Sequence, residues 1–222
     1  MALKIIETDD GSHSFYNEEL DETYHSRHGA IQEAKHVFLK KGLDAIREQK
    51  QHIDLLEIGF GTGLNAWLTS IKIMDSDVKI DYTGVEAFPL NAEQIELLNY
   101  DGFSKTEEEK DIFKRIHDAK WEEKIKIHDN FSLLKRKQDF REIEDEDGFD
   151  LIYFDAFGPR VQPDLWTVDI FSRMYKALRR NGILVTYSAK GDVRRAMIEV
   201  GFKVERVDGP PGKREMLVAK KE

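Results

Sequence analysis

The chain has 222 residues, 40% of them apolar and 35% charged, which suffices for one domain with a substantial core but not for a second large domain. It contains no cysteine, which excludes a disulfide framework, a thiolate zinc site and a cysteine nucleophile; it also lacks a signal-like apolar run or a stretch of membrane-spanning length, so a cytoplasmic protein away from membranes is expected. The net charge of −9 argues only superficially against a nucleic-acid partner, because residues 151–222 carry 14 Lys and Arg against 9 Asp and Glu.

The elements follow in chain order. Leu3 to Ile6 and Ser14 to Tyr16 flank an Asp10-Gly11 turn signal and predict a small β-ribbon. Ile31, Ala34, Val37, Phe38, Leu43 and Ile46 mark a helical stripe interrupted at Gly42. Residues 1–50 thus read as a ribbon and helix packed on a core domain of residues 51–222. In that core, strands are expected at Ile53–Ile58, Ile80–Val85, Ile125–His128, Leu151–Phe154, Ile183–Tyr187, Phe202–Val207 and Glu215–Ala219. Helices are expected at Thr62–Met74, at Pro89–Asn99 with proline in its first turn, near Leu165–Arg179 and at Asp192–Val200, and residues 101–124 read as a charged insertion with one helix. Alternating βα units imply a mostly parallel sheet with helices on both faces. The seven residues between the last two strands are too few for a crossover, so those strands should close an antiparallel hairpin.

The stretch "LLEIGFGTGLN", Leu55 to Asn65, places Gly59, Gly61 and Gly63 between a strand and its helix. Bare backbone is needed there for a tight turn and for a ligand lying across amides at a helix N-terminus. Phe60, Thr62, Leu64 and Asn65 complete the expected loop contacts. Glu57 precedes the loop, and Glu86 with Ala87 ends the next strand, where a carboxylate would accept the hydroxyls of an adenosine ribose. Asp129 with Asn130 is expected to end the third strand and face an adenine edge. Any one of these acids alone could be a capped turn residue; together they mark successive strand ends.

This arrangement resembles the class I S-adenosylmethionine-dependent methyltransferases, which implies a Rossmann-like α/β fold and S-adenosyl-L-methionine as cofactor. "DETYHSRHGAIQEAKHVFL", "GFGTGLN", "EAFPL", "FDAFGPRVQPDLWT", "TYSAKGDVRRAMIEVGF" and "GKREML" narrow the likeness: in this order they resemble the methyltransferase domain of the tRNA 5-methylaminomethyl-2-thiouridine biosynthesis bifunctional family. The chain differs from the family's usual strings in Ala156 after the aspartate and in "GPPGKRE". The resemblance implies methyl transfer to the 5-aminomethyl nitrogen of a wobble uridine in tRNA. Since the sequence ends at Glu222, the expectation is a methyltransferase whose aminomethyl substrate comes from a separate oxidase or other enzyme.

Within that reading, Asp155, at the end of the apolar run Leu151–Phe154, is the expected catalytic residue, orienting an amine and favouring the cation that develops on it. Phe157, Pro159 and Trp166 would form an apolar wall for an extruded uracil, with anchoring of the next helix an equal alternative for Trp166. Lys190, Arg194, Lys213 and Arg214 would meet tRNA phosphates. His25 and His28 read as solvated or hydrogen-bonded residues, with no metal site expected. The competing functions are an aminopropyltransferase or other small-amine transferase, and a catalytically idle RNA-binding module.

Overall fold

The computed structural model describes residues 3–222, which build an α/β fold around an eight-stranded sheet. At the start, β1 (Leu3–Glu7) and β2 (His13–Asn17) form the antiparallel ribbon expected from the Asp10-Gly11 turn, and the two-residue β3 (Glu22–Thr23) extends it. A helical rod follows, made of α1 (Ala30–Ala34), a π-helical stretch Lys35–Leu43 and α2 (Asp44–Arg47). Gly42 does not break it. A Cβ there would meet the Tyr153 ring and Val185 at 3.0 Å, so the missing side chain lets the rod press directly on the sheet.

The central strands are β4 (His52–Ile58), β5 (Lys79–Val85), β6 (Lys124–His128), β7 (Phe131–Arg136), β8 (Phe149–Phe154), β9 (Leu178–Thr186), β10 (Lys203–Asp208) and β11 (Glu215–Lys220). Their order is β10-β11-β9-β8-β4-β5-β7-β6, with five parallel strands from β9 to β7 flanked by antiparallel pairing at both edges. β8 is buried along its whole length, as its apolar run predicts. Its side chains alternate between two cores: Leu151 and Tyr153 join the rod with α3 (Leu64–Ile73) and α5 (Glu107–Asp118), whereas Ile152 and Phe154 join α6 (Val168–Ala177) and α7 (Gly191–Val200). The short α4 (Ala92–Glu96) begins after Pro89, at a reciprocal Asn91–Gln94 capping box. No helix among the described residues is long and apolar enough to cross a membrane.

One strand differs from expectation in a way that moves the site. The segment ending in Asp129 is not the third parallel strand; it is β6, which turns back through Asp129 and Asn130 into β7, and β7 is the strand that lies parallel beside β5. Asp129 and Asn130 therefore sit at the amino end of β7, away from the carboxyl edge. Asp129 is exposed and pairs with Lys126 at 2.6 Å, while the Asn130 amide donates to the carbonyls of Ile73, Met74 and Ser76 at and just past the end of α3. Both expected cofactor contacts are corrected on this ground.

Candidate active site

The strand order reverses around β4, which has β5 on one side and β8 on the other, and such a switch point opens a crevice outside the carboxyl ends of the strands. A cavity of about 450 Å³ lies there, lined by the glycine loop, the ends of β5 and β8, the segment after β7 and the N-terminal ribbon. Gly59, at φ 87°, fits a spot closed to every other residue: a Cβ would lie 2.5 Å from the Asp155 carbonyl oxygen. Gly63, in the left-handed region at φ 70°, opens α3 with no side-chain cap.

Three acids occupy this edge, and their surroundings separate them. Glu86 accepts N–H bonds from Gly61 and Phe88, each at 3.0 Å, yet burial raises its pKa above the ordinary carboxylate value. Glu57 is fully buried and does not line the cavity; burial pushes it well above the ordinary value. Asp155 lines the cavity, and burial with the negative charge of Glu33 raises it to about 7, against opposing pulls from Asn65 and Lys213. The Asn65 amide nitrogen joins two of the three, donating to Glu57 Oε1 and Asp155 Oδ2 at 2.8 Å each.

Residues 107–222 match the family model described as S-adenosyl-L-methionine-dependent methyltransferase. The chain belongs to this methyltransferase family. It is 30% identical over 221 residues to the "tRNA 5-methylaminomethyl-2-thiouridine biosynthesis bifunctional protein MnmC" of Delftia acidovorans, an alignment spanning 92% of this chain and 33% of that protein. It is 29% identical over 229 residues to the protein of the same name from Aromatoleum aromaticum, spanning 96% and 34%. This chain thus spans about a third of the length of those relatives. The crystal structure of MnmC2 from Aquifex aeolicus matches with a TM-score of 0.80 at 25% identity, covering 100% of this chain and 70% of that one. A spermidine synthase in complex with the transition-state analogue AdoDATO, at 16% identity, TM-score 0.55 and coverage of 99% and 74%, shares the fold.

The cavity fits the family's methyl donor, which carries an adenosine and no phosphate. The loop glycines leave the backbone bare, Glu86 presents a carboxylate at the end of β5, and Arg141, the only lining Lys or Arg among the described residues, is already paired with Asp139 at 2.6 Å. Gly59, Phe60, Gly61, Thr62, Leu64, Asn65, Glu86 and Ala87 all line this cavity. Gly63 lies within the same loop, and Glu57 stands behind Asn65.

The expected acceptor side is rearranged. Phe157 lines the cavity, but Pro159 does not, and Trp166 is a core anchor: its ring is 5% exposed, edge-on to Phe154 at 5.0 Å, with its indole N–H donating to the Phe157 carbonyl at 2.8 Å. Such a ring has no face to offer a base. Lys213 is not a free phosphate contact either, because its ammonium pairs with the buried Glu33 carboxylate and sits 3.9 Å from the centre of the Tyr187 ring. Lys190 and Arg214 are exposed and Arg194 half-buried, and no carboxylate pairs with any of the three among the described residues.

Several lining residues escaped the sequence reading, among them Tyr24, His25, Leu20, Phe88 and Asp139. Tyr24 packs edge-on to Phe157 at 4.9 Å between ring centres. His25 Nδ1 shares a hydrogen bond with the Ser14 hydroxyl at 2.9 Å, and burial lowers its pKa to about 4, so its imidazole is neutral near pH 7. His28 instead meets Asp9 on the surface. The available signal was the matched string "DETYHSRHG", which contains both Tyr24 and His25 but assigns neither a task.

Proposed function

We propose that this methyltransferase moves a methyl group from S-adenosyl-L-methionine to the 5-aminomethyl nitrogen of a wobble uridine in tRNA. The observation that carries the reading is Asp155, a carboxyl raised to about 7 at the cavity edge, in a chain similar along nearly its whole length to proteins named for this uridine modification. The donor, when bound, supplies an electrophilic methyl on a sulfonium; the nitrogen–carbon bond forms as the sulfur–carbon bond breaks and its electron pair returns to sulfur. The loop Gly59–Gly63 and Glu86 would hold that donor, with Ala87 and Phe88 beside Glu86 and Phe140 after β7 on the adenine side.

Asp155 acts on the nucleophile. A protonated amine has no lone pair, and a carboxyl with a pKa of about 7 is suited to accept its proton near neutral pH and to favour the positive charge that grows on nitrogen. Tyr24, Phe157 and Leu20 would flank the uracil, and the cavity is small enough that the base must leave its stack to enter. Lys190, Arg194 and Arg214 lie after the carboxyl end of β9 and at the β10–β11 turn, on the same edge, where they would meet phosphates. The aminomethyl group must already be on the uridine, so another reaction, an oxidase or equivalent, supplies it.

A small polyamine acceptor is the second reading, favoured by Glu19 and Asp164 lining the same cavity. Incubation with methyl-labelled donor and either tRNA bearing aminomethyl uridine, tRNA lacking it, or spermidine separates the two. Label is expected only in the first; label in spermidine and not in tRNA would overturn the tRNA reading.

A further inference from the structure

Glu57 on β4 and Asp155, just past the end of the adjacent parallel strand β8, are two acids brought side by side at the switch point. A single side chain bridges them. Asn65, the second residue of α3 and 3% exposed, uses one amide nitrogen to donate to both carboxyl groups. We propose that Asn65 is a positioning residue for methyl transfer: anchored on Glu57, its amide fixes Asp155 Oδ2 and leaves Oδ1 as the oxygen that meets the substrate amine. The inference rests on the reading of Asp155 as the amine's partner.

Three features support it. Among the described residues no protein hydrogen bond reaches Asp155 Oδ1, so the bond from Asn65 alone sets the rotation of the carboxyl group. Glu57 lies behind the cavity wall, which removes it from contact with the donor, and Asn65 is the partner that links it to the cavity side. The Asn65 carbonyl oxygen is buried without a partner, so the side chain is held by its amide nitrogen on the two carboxyl groups, while the Tyr82 hydroxyl backs Glu57 from the far side. A neutral Glu57, which its burial favours, suits this task because it anchors the amide without adding a second negative charge beside Asp155.

The amide also biases titration. An N–H bond to Asp155 favours the ionised form, so removing it should raise the carboxyl pKa further. The other titratable groups facing Asp155 are Glu33 of α1, Lys213 of the β10–β11 turn, Glu57 of β4, Tyr82 of β5, Tyr100, and Tyr187 after β9.

The test pairs a titration that needs no substrate with kinetics. With carbon-13 in the aspartate carboxyls and Asp155→Asn to assign the signal, the wild-type midpoint is expected near about 7 and that of Asn65→Ala higher by roughly one pH unit. On aminomethyl tRNA, Asn65→Ala should lower kcat about tenfold to a hundredfold. Glu57→Leu should lower kcat similarly, and Glu57→Gln, which keeps an oxygen acceptor without charge, should recover most of it. An unmoved midpoint, a wild-type kcat in Asn65→Ala, or equal losses in the two Glu57 variants would overturn the proposal. If Asn65→Ala fails to fold, Asn65→Ser decides by the same titration. A wild type that transfers no methyl to this tRNA would sink the substrate reading, and the titration would still decide the role of Asn65.

Discussion

Asp155 is held between groups that raise its pKa, which are burial and Glu33, and groups that lower it, which are Asn65 and Lys213. The folded-state value of about 7 lies above the unfolded one, so the folded protein binds the proton more tightly and loses stability as pH rises from the ordinary carboxylate range through about 7. Asp155→Asn should therefore melt higher than the wild type at pH 8, with a smaller gap at pH 5, while its kcat falls about a hundredfold; thermal melts and turnover of the same preparations check both. Wild-type activity should climb with pH through about 7 as the carboxyl ionises. Glu86→Ala should weaken adenosylmethionine binding by about 1.5 to 3 kcal/mol, the scale of a charge-assisted hydrogen bond, as read by calorimetry. Asp155, Glu86 and the glycine loop were legible because each ends or follows an apolar run that must be a strand. Tyr24, His25 and Asp139 were not, because their place in the cavity depends on how distant segments fold over the sheet edge.

At the scale of elements, the final hairpin is clasped by the N-terminal segment. Lys213 pairs with Glu33 of α1, His36 shares a hydrogen bond with the Asp208 carbonyl at 2.8 Å, and a Cβ on Gly212 would strike the His28 ring. The clasp sits beside Asp155, so it carries electrostatic as well as structural weight. Lys213→Met leaves Glu33 buried without its cation, which should cost about 1 to 3 kcal/mol of stability, and should move the rise of activity to higher pH. Glu33→Gln removes a charge that raises Asp155 and should move that rise to lower pH; the opposed shifts in two pH profiles check the pair. Charge alone had suggested a phosphate contact for Lys213, since a sequence does not reveal a partner 180 positions away. The strand β7 was hidden for a related reason. Its inward positions are Phe131, Leu133 and Lys135, and the buried ammonium of Lys135 caps the α5 carbonyls of Ile116 and His117 at 3.0 and 2.9 Å, which spoils the apolar alternation.

For the molecule as a whole, the βα alternation and the short link before the last strand were enough to predict a mostly parallel sheet closed by an antiparallel hairpin, because these follow from local period and loop length. The β6–β7 hairpin at the opposite edge was not predicted, and it moved the adenine-side expectation from Asp129 to the segment after β7. The carboxyl edge gathers the cavity together with Lys190, Arg194 and Arg214, three cations without carboxylate partners among the described residues. Replacing all three by Ala should raise KM for tRNA with little change in donor affinity, and should flatten the salt dependence of binding by about 0.7 to 0.9 in log–log slope per lost phosphate contact, measured across a salt series. The most direct test of the account is mass spectrometry of nucleosides from aminomethyl-uridine tRNA incubated with adenosylmethionine and either the wild type or Asp155→Asn. The wild type should convert aminomethyl uridine to its N-methylated form, and Asp155→Asn should leave nearly all of it unconverted in the same time. Methylation at another nucleoside, or equal conversion by the two proteins, would contradict the account.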